Sequence, residues 1–171
     1  MIRSATSDDI PALTALAQAT YTAAFGHSFL PDDLTAHLER ELSEARFAQI
    51  VRDDTVLVAE RDGQLIGYVQ LGVTEVPGQW ELRRLYVRAE FQSQGVGSAL
   101  MDAALSHPIL PPDAPLVLDV WEHNPGAQRF YRRYGFEIVG TQSFEVASGR
   151  ETSLDLLMVR LPTERASGRT Q

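Results

Sequence analysis

A glycine-containing loop, Gln92-Ser93-Gln94-Gly95-Val96-Gly97, lies between a predicted strand and a predicted helix. The segment Glu81–Val87, with its aromatic and β-branched residues, predicts the strand, and Ser98–Leu105 has the apolar spacing of a helix. The first N–H groups of a helix have no backbone partners, and the positive end of the helix dipole lies beside them. Glycine lets an anion approach such groups closely because it has no Cβ. The loop therefore predicts a site for a phosphorylated cofactor.

The spacing of the glycines excludes two common nucleotide sites. A Rossmann fingerprint, Gly-x-Gly-x-x-Gly, needs a third glycine after Gly97, and no glycine stands in that place. A nucleotide P-loop needs a lysine after its last glycine, and the chain has no lysine. Taken alone, the loop is also consistent with an ordinary strand-to-helix turn that binds nothing.

Composition excludes several classes of protein. The chain has 171 residues and a formal net charge of −8, whereas a general nucleic-acid binder is usually basic. It contains no apolar run near the ~20 residues that span a bilayer. The absence of cysteine excludes disulfides, thiolate metal sites and cysteine nucleophiles, and the four histidines lack the spacing of metal ligands. We expect a cytoplasmic enzyme that binds neither nucleic acid, nor a membrane, nor a metal.

The charges are distributed unevenly along the chain. Residues 1–60 contain ten acidic side chains and four arginines, so this first third accounts for −6 of the net charge. Arginines are concentrated near the glycine loop and in the segment that begins at residue 129. An acidic front half and a basic cofactor half would suit a cationic substrate beside an anionic cofactor. Solvated helix faces are the alternative explanation for each single charge.

The predicted elements alternate between helices and strands in one domain, residues 1–162, followed by a flexible tail, residues 163–171. Three helices are expected in the first third of the chain, and an Asp-Gly hairpin joins the next two strands. Strands are predicted at Ile2–Thr6, Thr55–Glu60, Leu65–Val73, Glu81–Val87, Leu116–Trp121, Phe136–Phe144 and Thr152–Arg160. This mixture indicates an α+β or three-layer α/β domain with a mixed sheet.

A second cluster of residues, together with the loop, indicates a family. Leu118-Asp119-Val120-Trp121-Glu122-His123-Asn124 is followed by Ala127, then Phe130-Tyr131, then Gly135-Phe136. In this order and spacing the chain resembles the GNAT superfamily of acetyl-CoA-dependent N-acetyltransferases over nearly its whole length. Within that superfamily, Val-Trp-Glu-x-Asn, Thr141–Phe144 and Leu154–Met158 resemble the polyamine (spermidine) acetyltransferase branch.

The resemblance implies a three-layer α/β/α domain whose mostly antiparallel sheet is splayed between its fourth and fifth strands, with acetyl-CoA in the gap. Backbone groups of Leu85 and Val87 would face the pantetheine arm, and the N–H groups from Gln94 to Ala99 would hold the diphosphate. Asn124 would bind pantetheine or help to separate the strands. The implied cofactor-binding set is Leu85, Val87, Gln92, Gln94, Gly95, Val96, Gly97, Ser98, Ala99, Asn124 and Tyr131.

Acetyl transfer to an amine needs a base, an oxyanion donor and an acid. By the resemblance, Tyr131 would protonate the departing thiolate and the backbone N–H of Leu85 would stabilise the oxyanion. Glu81 is the candidate base because it stands eleven residues before Gln92, as the base glutamate does in the histone-acetylating branch. Strand periodicity predicts that Glu81, Arg83 and Leu85 share one face. The alternative is that Glu81 pairs with a neighbouring arginine and water molecules relay the proton.

The acceptor is the least determined part of the prediction. Four aromatic residues could line its pocket, as readily as they could belong to the core: Tyr21, Phe25, Phe29 and Trp80. A small cationic amine such as a polyamine is the leading candidate. A protein N-terminus or lysine is a second, and a non-catalytic acyl-CoA-binding module is a third. A homodimer is compatible with the resemblance.

Overall fold

The computed structural model describes residues 1–145 and 152–162, and the predicted tail, 163–171, lies outside these ranges. The helices are α1 (Ile10–Phe25), α2 (Pro31–Glu41), α3 (Glu44–Asp53), α4 (Val96–Leu105) and α5 (Pro125–Arg133). The strands are β1 (Ile2–Ser4), β2 (Thr55–Arg61), β3 (Gln64–Val73), β4 (Trp80–Val87), β5 (Leu116–Trp121), β6 (Glu137–Glu145) and β7 (Thr152–Arg160).

In the described part of the chain, the strands form one sheet in the order β1-β2-β3-β4-β5-β7-β6. Neighbouring strands are antiparallel except β4 and β5, which run parallel. The parallel contact consists of two pairs, Trp80 with Leu116 and Glu81 with Val117. Beyond these pairs the two strands separate, so the predicted mixed sheet, splayed between its fourth and fifth strands, is confirmed.

Two apolar cores cover the two faces of the sheet, which gives the predicted three layers. On one face, Leu13, Leu16 and Phe47 of α1 and α3 pack against β2 and β3. On the other face, Leu100 of α4 and Tyr131 of α5 pack against the central strands. The two faces are called here the α1 face and the α4 face. Across the described ranges, none of the helices is both long enough and apolar enough to cross a membrane.

A β-bulge at Arg83 changes which side chains of β4 share a face. Opposite β3, Leu82 pairs with Leu71, whereas the next pair is Arg84 with Gln70, so Arg83 is an extra residue. Leu82 and Leu85 both pack into the core of the α4 face. The prediction that Glu81, Arg83 and Leu85 share one face is therefore wrong for Leu85. A one-residue bulge shifts the two-residue periodicity on which that prediction relied.

Candidate functional site

The separation of β4 and β5 opens a cavity of about 500 Å³. Its walls are β4 on one side, β5 and the start of α5 on the other, and α1 across the α1 face. The part of α1 that faces the cavity carries small side chains, among them Ala19, Ala23 and Ala24. These small side chains leave room for a ligand between the helix and the two separated strands.

The backbone of β4 presents free groups to this cavity. The N–H of Arg88 donates to the carbonyl oxygen of Ile66 in β3 at 2.9 Å. Backbone groups alternate in direction along a strand, so the N–H groups of Leu85 and Val87 point away from β3. No strand lies opposite them, because the pairing with β5 has already ended. The two backbone groups that the sequence predicted for pantetheine therefore face the cavity, which both residues line.

The glycine loop presents a row of free donors at the start of α4. Gly95 caps the helix with a left-handed backbone, φ 81°. Within the described residues, no acceptor is found for the N–H groups of residues 94–98. Ala99 differs from the prediction, because its N–H donates to the carbonyl oxygen of Gly95 at 2.9 Å and is not free. Free donors at a helix N-terminus are favourable for binding an anion, as the sequence predicts for this loop.

Two glutamines of the loop act through their side chains within the protein. The Nε2 of Gln92 donates to the carbonyl oxygen of Val87 at 3.1 Å. The Nε2 of Gln94 donates to the carbonyl oxygen of Glu90 at 2.8 Å, and its Oε1 accepts from Arg61 at 3.1 Å. These bonds hold the loop against the end of β4, so the glutamine side chains position the backbone donors.

The fold itself does not require glycine at position 97. A Cβ built there would lie 3.8 Å from Val87 Cγ2 and 3.9 Å from the ring of Phe130, which are ordinary contact distances. Gly95 is different, because its positive φ favours glycine whatever occupies the space around it. The missing side chain of Gly97 therefore leaves space for a close approach from outside the protein.

Asn124 begins α5 at the wall of the cavity. Its Oδ1 accepts a hydrogen bond from the N–H of Ala127 at 3.0 Å, which caps the helix. The amide nitrogen of the side chain makes no hydrogen bond with any described residue. Asn124 therefore stabilises the helix and keeps a donor available at the cavity.

Tyr131 is a buried side chain that lines the cavity. It is 8% exposed and packs against the rings of Phe130 and Phe136, with centroids 5.5 and 5.8 Å away. Its hydroxyl makes no hydrogen bond with any residue that the structure describes. Burial raises the pKa of Tyr131 to about 12. The hydroxyl therefore stays protonated at physiological pH and is free to donate to a ligand.

Glu81 is not among the residues that line the cavity. Arg83 Nη1 lies 3.6 Å from its Oε2, and the same guanidinium contacts Asp54 at 3.3 Å. The arrangement matches the alternative in which Glu81 pairs with a neighbouring arginine. The role of Glu81 as a base stays a prediction.

Two carboxylates near the cavity were not singled out from the sequence. Asp119 lines the cavity, and Asp155 lies opposite Trp121 on the α1 face. Neither carboxylate forms an ion pair or a hydrogen bond with a described residue. Burial raises the pKa of both, and for Asp155 the charges of Asp119 and Glu122 raise it further. The sequence did contain an indication of the role of Asp119, because it is the single charged residue in the apolar strand Leu116–Trp121.

The aromatic residues predicted for an acceptor pocket divide into two groups. Tyr21 lies 4.9 Å from Phe25 and 6.2 Å from Phe29, measured between ring centroids. The ring centroid of Phe25 lies 5.9 Å from that of Trp121, which was not among the residues predicted for the acceptor pocket. Trp80 packs against the core of the α4 face and does not line the cavity. Phe25 and Trp121 line the cavity, whereas Tyr21 and Phe29 pack near Phe25 without lining it.

Arg84 is a third charged residue that sequence reasoning left without a site role. It lines the cavity, and its Nη1 donates to Gln70 Oε1 at 2.6 Å. Gln70 is 1% exposed and donates from its Nε2 to Asp54. A buried amide therefore holds the guanidinium at the cavity wall from behind.

Comparison with known proteins agrees with this geometry. Residues 52–138 match the acetyltransferase (GNAT) domain family. The chain is 33% identical over 159 residues to an uncharacterized N-acetyltransferase of Mycobacterium tuberculosis, a match that covers 89% of this chain and 97% of the relative. These two matches establish the family.

Solved structures show the same fold. The PaiA N-acetyltransferase of Thermoplasma acidophilum, in complex with coenzyme A, superposes with a TM-score of 0.78 at 21% identity, over 94% of this chain and 98% of that one. A ribosomal-protein-alanine N-acetyltransferase of Brucella melitensis superposes with a TM-score of 0.71 at 27% identity, over 94% and 99%. None of the proteins named here carries a polyamine in its name, so the predicted polyamine branch has no support from them.

The glycine loop gives a first testable prediction. Replacing Gly97 by Ala should raise the dissociation constant of coenzyme A at least about tenfold, which corresponds to ~1.4 kcal/mol. The added methyl group would occupy the space through which a diphosphate approaches the free N–H groups, without a clash inside the protein. Isothermal titration calorimetry measures the effect. Gly140→Ala is the matched control, because a Cβ there meets nothing within 4 Å. Equal affinity in both variants would contradict the diphosphate assignment.

Proposed function

Because this chain belongs to the GNAT family of acetyltransferases, we propose that it transfers the acetyl group of acetyl-CoA to a cationic primary amine in the cavity between β4 and β5. The observation that carries the proposal is that one cavity is lined by the free N–H of Leu85, the free hydroxyl of Tyr131 and the unpaired carboxylate of Asp119. These groups supply the oxyanion donor, the acid and the base that direct acetyl transfer requires.

Acetyl-CoA is the co-substrate. Its diphosphate, pantetheine arm and thioester can each be assigned to free backbone donors of the glycine loop and of β4. The diphosphate binds the N–H groups of residues 94–98, where the helix dipole favours negative charge. The pantetheine arm runs along the unpaired edge of β4 and bonds to the backbone of Val87. The thioester oxygen then accepts a hydrogen bond from the N–H of Leu85. In other acyl-transfer enzymes a donor of this kind stabilises the transition state by ~3 kcal/mol.

Asp119 is the proposed base. An amine reaches the site as an ammonium ion, and it must lose a proton before its lone pair can attack the thioester carbon. Burial raises the pKa of Asp119, which makes its carboxylate a better proton acceptor than an exposed aspartate. The carboxylate also forms no ion pair with any described residue. The ammonium proton passes to Asp119, directly or through one water molecule, as the new C–N bond forms.

Tyr131 is the proposed acid. When the tetrahedral intermediate collapses, the C–S bond breaks and the sulfur leaves with the electron pair. The phenol of Tyr131, with a pKa raised by burial to about 12, is fully protonated and donates to this sulfur. A free thiol has a pKa of ~8.5, and burial in the same cavity raises the pKa of the departing thiol. The difference between this pKa and that of Tyr131 is therefore smaller in the cavity than in water.

The acceptor has two candidate classes, each favoured by one observation. The carboxylates of Asp119 and Asp155 and the net charge of −8 favour a small cationic amine such as a polyamine. The 27% identity to a ribosomal-protein-alanine N-acetyltransferase favours a protein N-terminus. A module that binds acyl-CoA without turnover would need neither the free carboxylate nor the free phenol.

Replacing Tyr131 by Phe should lower kcat at least about a hundredfold, the usual size of a general-acid effect, with little change in acetyl-CoA affinity. The hydroxyl has no partner among the residues that the structure describes, so we expect its loss to leave the fold intact. Thiol release from acetyl-CoA measures the rate. Tyr134→Phe, directly after the end of the same helix, is the control, since the one hydrogen bond of its hydroxyl within the described residues is to the carbonyl oxygen of Ser98, at 3.4 Å. Equal kcat in both variants would remove Tyr131 from the mechanism.

The choice between Asp119 and Glu81 as base can be made from pH profiles. Activity of the wild type should rise with pH through the pKa of Asp119, above the ordinary carboxyl value of ~3.9, because only the ionised form accepts a proton. Asp119→Asn should lower kcat/KM at least about a hundredfold and remove this acid limb. Glu81→Gln should keep the limb, since Glu81 faces Arg83. The reverse pattern would assign the base to Glu81.

Acetylation should be detected with at least one cationic primary amine among spermidine, putrescine, an aminoglycoside and a peptide with a free N-terminus. Thiol release against a blank without enzyme measures turnover. Tight acetyl-CoA binding without turnover of any of these acceptors would contradict the proposed function and favour a regulatory binding module.

A further inference from the structure

We propose that Arg84 determines acceptor specificity by binding an oxygen atom next to the acceptor's amine, so that the preferred acceptor is an α-amino acid or a peptide N-terminus. This proposal rests on the proposed function and adds the substrate class. The chemistry shared by both acceptors is an ammonium group and a carbonyl or carboxylate oxygen on adjacent carbons.

Arg84 is fixed on its inner side and open on its outer side. Gln70 Oε1 accepts from its Nη1 at 2.6 Å, and Gln70 is itself 1% exposed and held by Asp54. The Nε and Nη2 donors of Arg84 bond to no described residue. A guanidinium fixed by one edge presents its remaining donors in a rigid fork, which suits a planar oxygen-bearing group.

The charge of Arg84 is not compensated by a neighbouring carboxylate. The adjacent Arg83 contacts both Asp54 and Glu81, whereas Arg84 forms no ion pair within the described residues. A partly buried cation without an anionic partner in the protein is suited to an electronegative group on a ligand.

Arg84 on β4 and Asp119 on β5 lie a similar number of residues beyond the last parallel pair, on the two sides of the cavity. Both follow the last parallel pair, Glu81 with Val117, and the bulge at Arg83 takes up one residue on the β4 side. Arg84 pairs with Gln70 on the α1 face, and Asp119 lies on that face because Leu118 and Val120 pack into the opposite core. The cavity therefore presents a cation on β4 and a carboxylate on β5 to the same ligand.

An α-amino acid or a peptide N-terminus carries groups that suit this pair of side chains: an ammonium group and, on the adjacent carbon, a carboxylate or a carbonyl oxygen. Its ammonium group can bind Asp119 while the adjacent oxygen accepts from Arg84. A polyamine supplies only ammonium groups, which the uncompensated charge of Arg84 repels. Arg84 thus favours the second of the two acceptor classes.

Three matched acceptors test the proposal: L-phenylalanine, L-phenylalaninamide and 2-phenylethylamine, with spermidine as a fourth. We expect kcat/KM for the better of the two oxygen-bearing acceptors to exceed that for 2-phenylethylamine and spermidine at least about tenfold, since a site that bonds a polar group rejects analogues without it. Preference for the amide would indicate a peptide N-terminus, and preference for the acid a free amino acid.

The variant Arg84→Met should remove most of this preference: the ratio of kcat/KM for the better oxygen-bearing acceptor to kcat/KM for 2-phenylethylamine should fall to within about twofold of one, because 2-phenylethylamine has no oxygen for Arg84 to bind. Arg84→Lys, which keeps a donor for Gln70, should restore part of the preference and guards against misfolding of the Met variant. Arg46→Met, on the exposed surface of α3, is the control and should change nothing.

Two outcomes would overturn the proposal while leaving the proposed function intact: a wild-type preference for spermidine or 2-phenylethylamine, or an equal loss with all four acceptors in Arg84→Met. Absence of acetylation with every acceptor would contradict the proposed function, and the proposal with it.

Discussion

The early end of the β4–β5 pairing is the constraint on which the rest of the structure depends. Two parallel pairs hold the strands together at one end, and beyond them the edge of β4 has no partner strand in the described part of the chain. A buried N–H without a partner costs ~1–3 kcal/mol, so the open edge is tolerable only where water or a ligand completes it. The small side chains of α1 and the capped start of α5 keep that edge accessible. The cavity is thus the result of incomplete pairing.

Electrostatics then distinguishes the regions of the cavity. The free N–H groups at the start of α4 attract the anionic end of a cofactor, while the carboxylate of Asp119 attracts a cationic acceptor. The buried Gln70 keeps Arg84 apart from the carboxylates that neutralise Arg83. One strand therefore carries two adjacent arginines with different environments, and the bulge between Leu82 and Arg84 is what separates them.

Much of this arrangement could be predicted from local sequence patterns. The order of helices and strands follows from periodicity, and the glycine loop follows from the chemistry of a helix start. The position of Tyr131 follows from the family resemblance of a contiguous segment. The bulge at Arg83 could not be predicted, because an extra residue in a strand leaves no mark on the apolar pattern. Asp155 became recognisable only through its cross-strand position opposite Trp121, which depends on how β5 and β7 pair. Ala99 was misassigned because the first helical hydrogen bond begins one residue earlier than expected.

The central claim is that the unpaired N–H groups of β4 and of the glycine loop hold the cofactor. Titration of the ¹⁵N-labelled protein with coenzyme A, followed by amide NMR, tests it most directly. The account predicts that the amide signals of Leu85, Val87 and residues 94–98 shift and exchange more slowly with solvent, while the amide of Ala99, already bonded to Gly95, changes little in exchange. Binding of coenzyme A that leaves the amides of Leu85, Val87 and the loop unperturbed would contradict the account.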